Sequence, residues 1–132
     1  MISGIRKRVD ARSDGGFTLI ELLVVIIIIA ILAAIAIPMY LSQRQKGWDA
    51  NVQSDLRNAA VAEESYYTDN SAYTTSVAAL TAQGYHQSAN ITLTAPTGST
   101  TQYCLQAFHA SNASKIWRMQ SGVGDPVVGS CP

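Results

Sequence analysis

The chain has two histidines, two cysteines and no net formal charge across its 132 residues. These scarcities exclude several kinds of chemistry. His86 and His109 sit beside no nucleophile motif, and the Cys104 and Cys131 spacing matches no zinc or redox pattern. Neither a catalytic nor a metal role is expected, and no cofactor. Glu63-Glu64 is an adjacent pair whose side chains diverge on a helix and so reads as a solvated face. Asp125 stands alone near the C-terminus, too few carboxylates for a calcium site. Zero net charge gives no field to draw in nucleic acid, and the six tyrosines and two tryptophans are not interleaved with basic residues. No nucleic-acid site is therefore visible. There are no internal repeats. From Thr68 onward only Lys115 and Arg118 stand against Asp69 and Asp125. That polar, weakly charged surface suits close packing of many copies, or an ordinary secreted protein.

The most informative absence lies between Leu22 and Ile37, which contains no charged and no polar side chain. It follows Gly15-Gly16-Phe17-Thr18-Leu19-Ile20-Glu21 and a leader carrying Arg6, Lys7, Arg8 and Arg12 against Asp10 and Asp14. A basic leader stays on the cytoplasmic side of a membrane. As a helix, residues 17 to 41 span about 38 Å, more than the hydrocarbon thickness of about 30 Å. A secretory signal peptide cut near Ala34-Ile35-Ala36 is the competing reading. Against it stand the length of the apolar run, Glu21 at its beginning and Pro38 just behind the cut.

Glu21 supports two readings. Thr18 to Glu21 has capping-box spacing, and a carboxylate suits a helix N-terminus. Alternatively, cleavage after Gly16 would leave a cationic amine on Phe17, one helical turn from Glu21. In a stack of parallel copies that amine could meet the Glu21 of another chain. An acid beside lipid generally finds a partner, so Glu21 would then fix the register of assembly.

Beyond the apolar run, Leu41, Trp48, Val52, Leu56, Ala59, Ala60 and Tyr67 recur at mostly three- or four-residue steps, which predicts a helix from Phe17 to about Tyr67. Its opposite face carries Arg44, Lys46, Asp49, Gln53, Arg57 and Glu64. Asp69-Asn70-Ser71 should end it. A loop follows, with a helical turn over Val77 to Ala82 stopped by Gly84. Strands are expected at Ile91–Thr94, Gln102–His109 and Lys115–Gln120, with a further short one at Val127-Val128. Turns are expected at 95–99 and 110–113. The order implies an α+β fold, a long helix laid on an antiparallel sheet of three to four strands. Three regions result: a leader (1–16), an apolar transmembrane and assembly helix (17–41), and a globular head (42–132). The head divides into helix 42–67, loop 68–90, and a sheet with its cysteine loop, 91–132. If the head is exported, Cys104 and Cys131 pair and close a loop of 28 residues counted inclusively; in the cytosol they would be buried thiols. Asn90-Ile91-Thr92 and Asn112-Ala113-Ser114 fit the N-glycosylation pattern, a weak signal by itself.

Gly16-Phe17-Thr18-Leu19-Ile20-Glu21, the apolar helix and Pro38 together resemble the class III signal of type IV pilins and pseudopilins. The resemblance is specific over residues 1 to 41 and looser beyond. It implies that a membrane peptidase removes residues 1–16, cutting between Gly16 and Phe17, and then N-methylates Phe17. Glu21 becomes the acid that recruits subunits into a helical homo-oligomer. Cys104 and Cys131 resemble the pair bounding the C-terminal pilin loop. Pro38 removes a backbone donor, leaving the Ala34 carbonyl without its partner, and in related filaments the helix loosens just before it. Gly47 is a second soft point. The implied partners are lipid before assembly, the prepilin peptidase and methylase, and an assembly platform protein with ATPases. The implied course is from a single-pass membrane protein, leader cytoplasmic and head outside, to an extracellular pilus. The resemblance leaves a pilus subunit, a pseudopilin of a secretion machine and a competence subunit open. A secreted binding domain that never polymerises is the rival of another class.

Overall fold

The computed structural model describes residues 16–132, so all of the expected leader except Gly16 lies outside the described residues. The chain separates into two compact units, one ending at Leu41 and one comprising Ser42–Pro132. A single helix, α1 (Leu19–Asn70, 52 residues), contributes to both.

In the first unit α1 buries no large apolar side chain. From Phe17 to Leu41 these side chains are between 45% and 90% exposed. Burying a Leu or Ile side chain is worth about 1.5–3 kcal/mol. More than a dozen left open sum to tens of kcal/mol, so this stretch is stable only beside lipid or other apolar surface. The helix forms in spite of four consecutive isoleucines, Ile26–Ile29.

The second unit is α+β. After α1 come α2 (Val77–Ala82), β1 (Ile91–Gly98), β2 (Tyr103–His109), a 3₁₀ turn (Ala110–Asn112), β3 (Trp117–Gln120) and β4 (Val127–Val128). The strands form one antiparallel meander in sequence order. Ile91, Leu93 and Ala95 alternate inward along β1, joined by Leu105 and Ala107 of β2 and Met119 of β3. These pack with Val52, Leu56, Ala59 and Ala60 of α1, and with Leu80 and Tyr85 from the connection.

Several expected boundaries move, for local reasons. The helix begins after Thr18, which caps it, and runs past Tyr67 to Asn70. Thr68 and Asn70 donate back to the carbonyls of Glu64 and Tyr66, so turn-forming residues here serve the last turn. Ser71 ends it in the left-handed conformation, φ 55°. The expected turn at 95–99 is wrong. Strand β1 continues through Pro96, which an edge strand tolerates, with a register irregularity between Thr94 and Thr97. The reversal lies at Ser99–Gln102, where the Ser99 amide donates to the Gln102 carbonyl. Strand β3 starts at Trp117, not Lys115. Leu41 and Tyr67 lie outside the core although they continue the apolar spacing.

The largest correction concerns polar groups. Glu63 is not on a solvated face; it is completely buried, and so, nearly, is Asp55. The Glu63 carboxylate accepts from the Thr74 amide at 2.9 Å. Asp55 accepts from the Tyr85 hydroxyl, the Ser88 amide and the Ser88 hydroxyl, tying the 85–90 connection to the helix. Asp125 pairs with Arg57 at 3.2 Å on the surface.

Candidate functional site

The N-terminal end of α1 is built around one carboxylate. The Thr18 amide donates to the Glu21 carboxylate at 3.0 Å, and the Glu21 amide donates to the Thr18 hydroxyl at 3.2 Å. This is a reciprocal capping box, which satisfies two amides that the first turn would otherwise leave without partners. The Phe17 ring is 90% exposed just ahead of it. Phe17, Glu21, Leu22 and Val25 line an open groove of about 480 Å³ whose walls are almost wholly apolar. A carboxyl group is thus presented, exposed, inside a greasy surface, with one oxygen turned to its own helix.

Pro38 lies within α1, and the helix is unbroken on either side of it. A proline there supplies no amide proton for the carbonyl four residues earlier, that of Ala34. The segment is long and apolar enough to cross a membrane.

At the other end of the chain Cys104 and Cys131 are joined in a disulfide, 27 residues apart in sequence. It fastens the C-terminus to β2. Three polar contacts support it: the Cys131 amide donates to Gln106, Arg118 donates to the Ser130 carbonyl, and the Gly129 amide donates to the Ile116 carbonyl.

Gly16, Phe17 and Glu21 therefore fall together at one helix end, Pro38 lies further along the same helix, and the two cysteines meet in the head. Neither histidine joins a cluster. His109 caps the 3₁₀ turn, accepting from the Ser111 amide, and stacks on Trp48 with ring centres 5.2 Å apart. Among the described residues no group of three or more His, Cys, Asp or Glu could hold a metal ion. Asp55 and Glu63 are the buried residues that the apolar spacing missed. Both occupy the stripe that holds Val52, Leu56, Ala59 and Ala60, and that position was the available signal.

Burial dominates the titration of the head. It pushes the Glu63 carboxyl above its ordinary value; the Thr74 hydrogen bond opposes this and the neighbouring Glu64 charge adds to it. Burial, followed by the charges of Glu64, Tyr73 and Glu63, pushes the Tyr103 phenol up to about 12. The Tyr85 phenol is raised by burial and then by the charge and hydrogen bond of Asp55.

A bare apolar helix with one capped acid, long enough to cross a membrane and carried on the same chain as a disulfide-closed α+β head, defines the class as a structural subunit with an N-terminal membrane-type helix. Comparisons with known proteins narrow this. A family model described as the prokaryotic N-terminal methylation motif matches residues 11–37. A second, described as type IV minor pilin ComP, DNA uptake sequence receptor, matches residues 38–116. The chain is 42% identical over 107 residues to the type IV wide pilus major component PilA4 of Thermus thermophilus, covering 80% of each protein. It is 39% identical over 62 residues to the type II secretion system core protein G of Pseudomonas aeruginosa, 47% of this chain and 44% of that protein. With the type IV major pilin protein PilA of Myxococcus xanthus it shares 38% over 58 residues, 44% of this chain and 26% of that protein. The chain belongs to the type IV pilins, a family of structural proteins, and is a subunit of a type IV pilus.

Proposed function

We propose that the chain is a prepilin, trimmed between Gly16 and Phe17, N-methylated on Phe17 and polymerised through residues 17–41 into an extracellular filament. The observation that carries this is the exposed apolar face from Phe17 to Leu41 with Glu21 at its head. Within a bilayer that face is satisfied by lipid, and in a filament by the same face of sibling chains. Helix association in lipid depends on close packing and on polar contacts rather than on hydrophobic drive. The carboxylate of Glu21 then selects the axial register by meeting the amine of a neighbouring Phe17. The peptidase, the platform protein and its ATPases are the partners this course requires. A pilus is favoured over a secretion pseudopilus because the PilA4 match covers 80% of both proteins and the core protein G match less than half of each.

Reception of DNA, the role printed for the second family model, is not proposed. Residues 42–132 carry five Lys and Arg against six Asp and Glu, and Arg57 and Lys115 are already ion-paired.

Intact mass and N-terminal sequencing of the surface product test the trimming. A start at Phe17 with one added methyl is expected; a start at Ile37 would show an ordinary secretory cut. Gly16→Leu should leave the precursor uncut on an immunoblot. Glu21→Ala should insert normally and give few filaments by electron microscopy; abundant normal filaments would remove the register role.

A further inference from the structure

Arg44 and Lys46 stand three and five residues past Leu41, where the apolar run ends. Both are exposed, and neither forms an ion pair among the described residues. The acids that could neutralise them along the helix are already engaged. Asp49 pairs with Lys115. Asp55 is buried and accepts three hydrogen bonds. Glu63 is buried, and Glu64 lies 20 residues from Arg44 in sequence, where it accepts from Tyr73. The Arg44 guanidinium lies over the Trp48 ring, 5.4 Å from its centre, and that ring is itself stacked on His109. The segment Ser42–Trp48 thus presents two uncompensated positive charges, one of them steered by an aromatic face.

We propose that Arg44 and Lys46 bind the phosphate groups of anionic lipids on the outer face of the membrane, and so hold the unassembled subunit at a fixed depth. This rests on the reading of residues 17–41 as a membrane span. With Leu41 at the hydrocarbon edge, the two residues lie about 4.5 and 7.5 Å further along the helix at 1.5 Å per residue. The polar layer on each side of a bilayer is about 5–8 Å deep, so both charges fall at headgroup level. Two features favour lipid over a second copy of the chain or a soluble anion. The cations continue directly from the apolar run, so headgroups are beside them whenever that run is in a bilayer. Their charge is also opposite to that of a lipid phosphate.

The test uses the full chain in nanodiscs of equimolar phosphatidylcholine and phosphatidylglycerol, extracted in mild detergent, with the retained lipids quantified by mass spectrometry. The unaltered protein should retain phosphatidylglycerol over phosphatidylcholine, and that preference should fall about fivefold for each cation removed in Arg44→Gln and Lys46→Gln. Arg57→Gln, an equal loss of charge further along the helix, should leave the preference unchanged. Equal retention of the two lipids by the unaltered chain overturns the proposal, as does an undiminished preference in the double variant. A chain that fails to enter nanodiscs at all overturns the membrane reading, and this inference with it.

Discussion

Glu63 places an acid where no water reaches and gives only one of its oxygens a partner. The Thr74 amide donates to Oε2, while Oε1 has no hydrogen-bond partner. Burial therefore holds the proton on this group to a higher pH than in the unfolded chain, whose ordinary value is 4.5. The folded form binds more protons than the unfolded form between those two values. Stability from this group is fully present below the unfolded value and is lost as pH rises through the folded one. Unfolding of the full chain in detergent micelles, followed by near-ultraviolet circular dichroism, should show a midpoint that declines as pH rises above 4.5. Glu63→Gln, which carries no charge at any pH, should remove that decline. An unchanged slope in the variant would assign the effect to another group. Other ionisable groups act on the same region: Glu64 and the Tyr73 and Tyr103 phenols. The Tyr103 phenol titrates near 12, far above this window.

Strand β1 depends on a close approach that only glycine permits. A Cβ on Gly98 would lie 2.6 Å from both the carbonyl carbon and the carbonyl oxygen of Thr74. The obstacle is backbone, which cannot swing aside like a side chain. Gly98→Ala should therefore cost about 1–3 kcal/mol, read as a lower urea midpoint. Gly122→Ala meets no such atoms and instead tests a left-handed turn, φ 82°. The β1 edge was also the element least legible in the sequence. Ala95-Pro96-Thr97-Gly98-Ser99 has turn composition, and only the tertiary arrangement reveals that an edge strand can accept Pro96 and that Gly98 is small for packing, not for bending. The long helix, α2, β2 and β4 were readable from local signals: unbroken apolarity, Gly84 as a stop with φ 99°, and β-rich runs between turns. At the start of α1, the capping box of Thr18 and Glu21 was legible from its spacing. Asp55 and Glu63 were not, because apolar spacing identifies a face by its hydrophobic members and passes over polar residues that share it. Their partners, Thr74, Tyr85 and Ser88, lie 11 to 33 residues away.

At the scale of the molecule, the bond between Cys104 and Cys131 is the one covalent constraint among the described residues. The loop-entropy relation gives roughly 3–4 kcal/mol for a closure of this size, a large share of the 5–15 kcal/mol typical of a folded domain. Replacing both cysteines with serine should lower the denaturant midpoint of the head accordingly and leave the far-ultraviolet signal of α1 largely in place. A midpoint unchanged by the substitution would show that the polar contacts at Gln106, Arg118 and Gly129 suffice to hold the C-terminus. The exposed Arg57–Asp125 pair is a minor tie by comparison, since ion pairs in water contribute about 0–1 kcal/mol.

Every residue of the hydrophobic core cluster lies at or beyond Val52, eleven positions after the apolar run has ended. Inheritance can therefore treat the two stretches separately. Substitutions in the apolar run leave the side chains of that core untouched, and on the function proposed above the head can vary its surface without altering the stretch through which the fibre would be built.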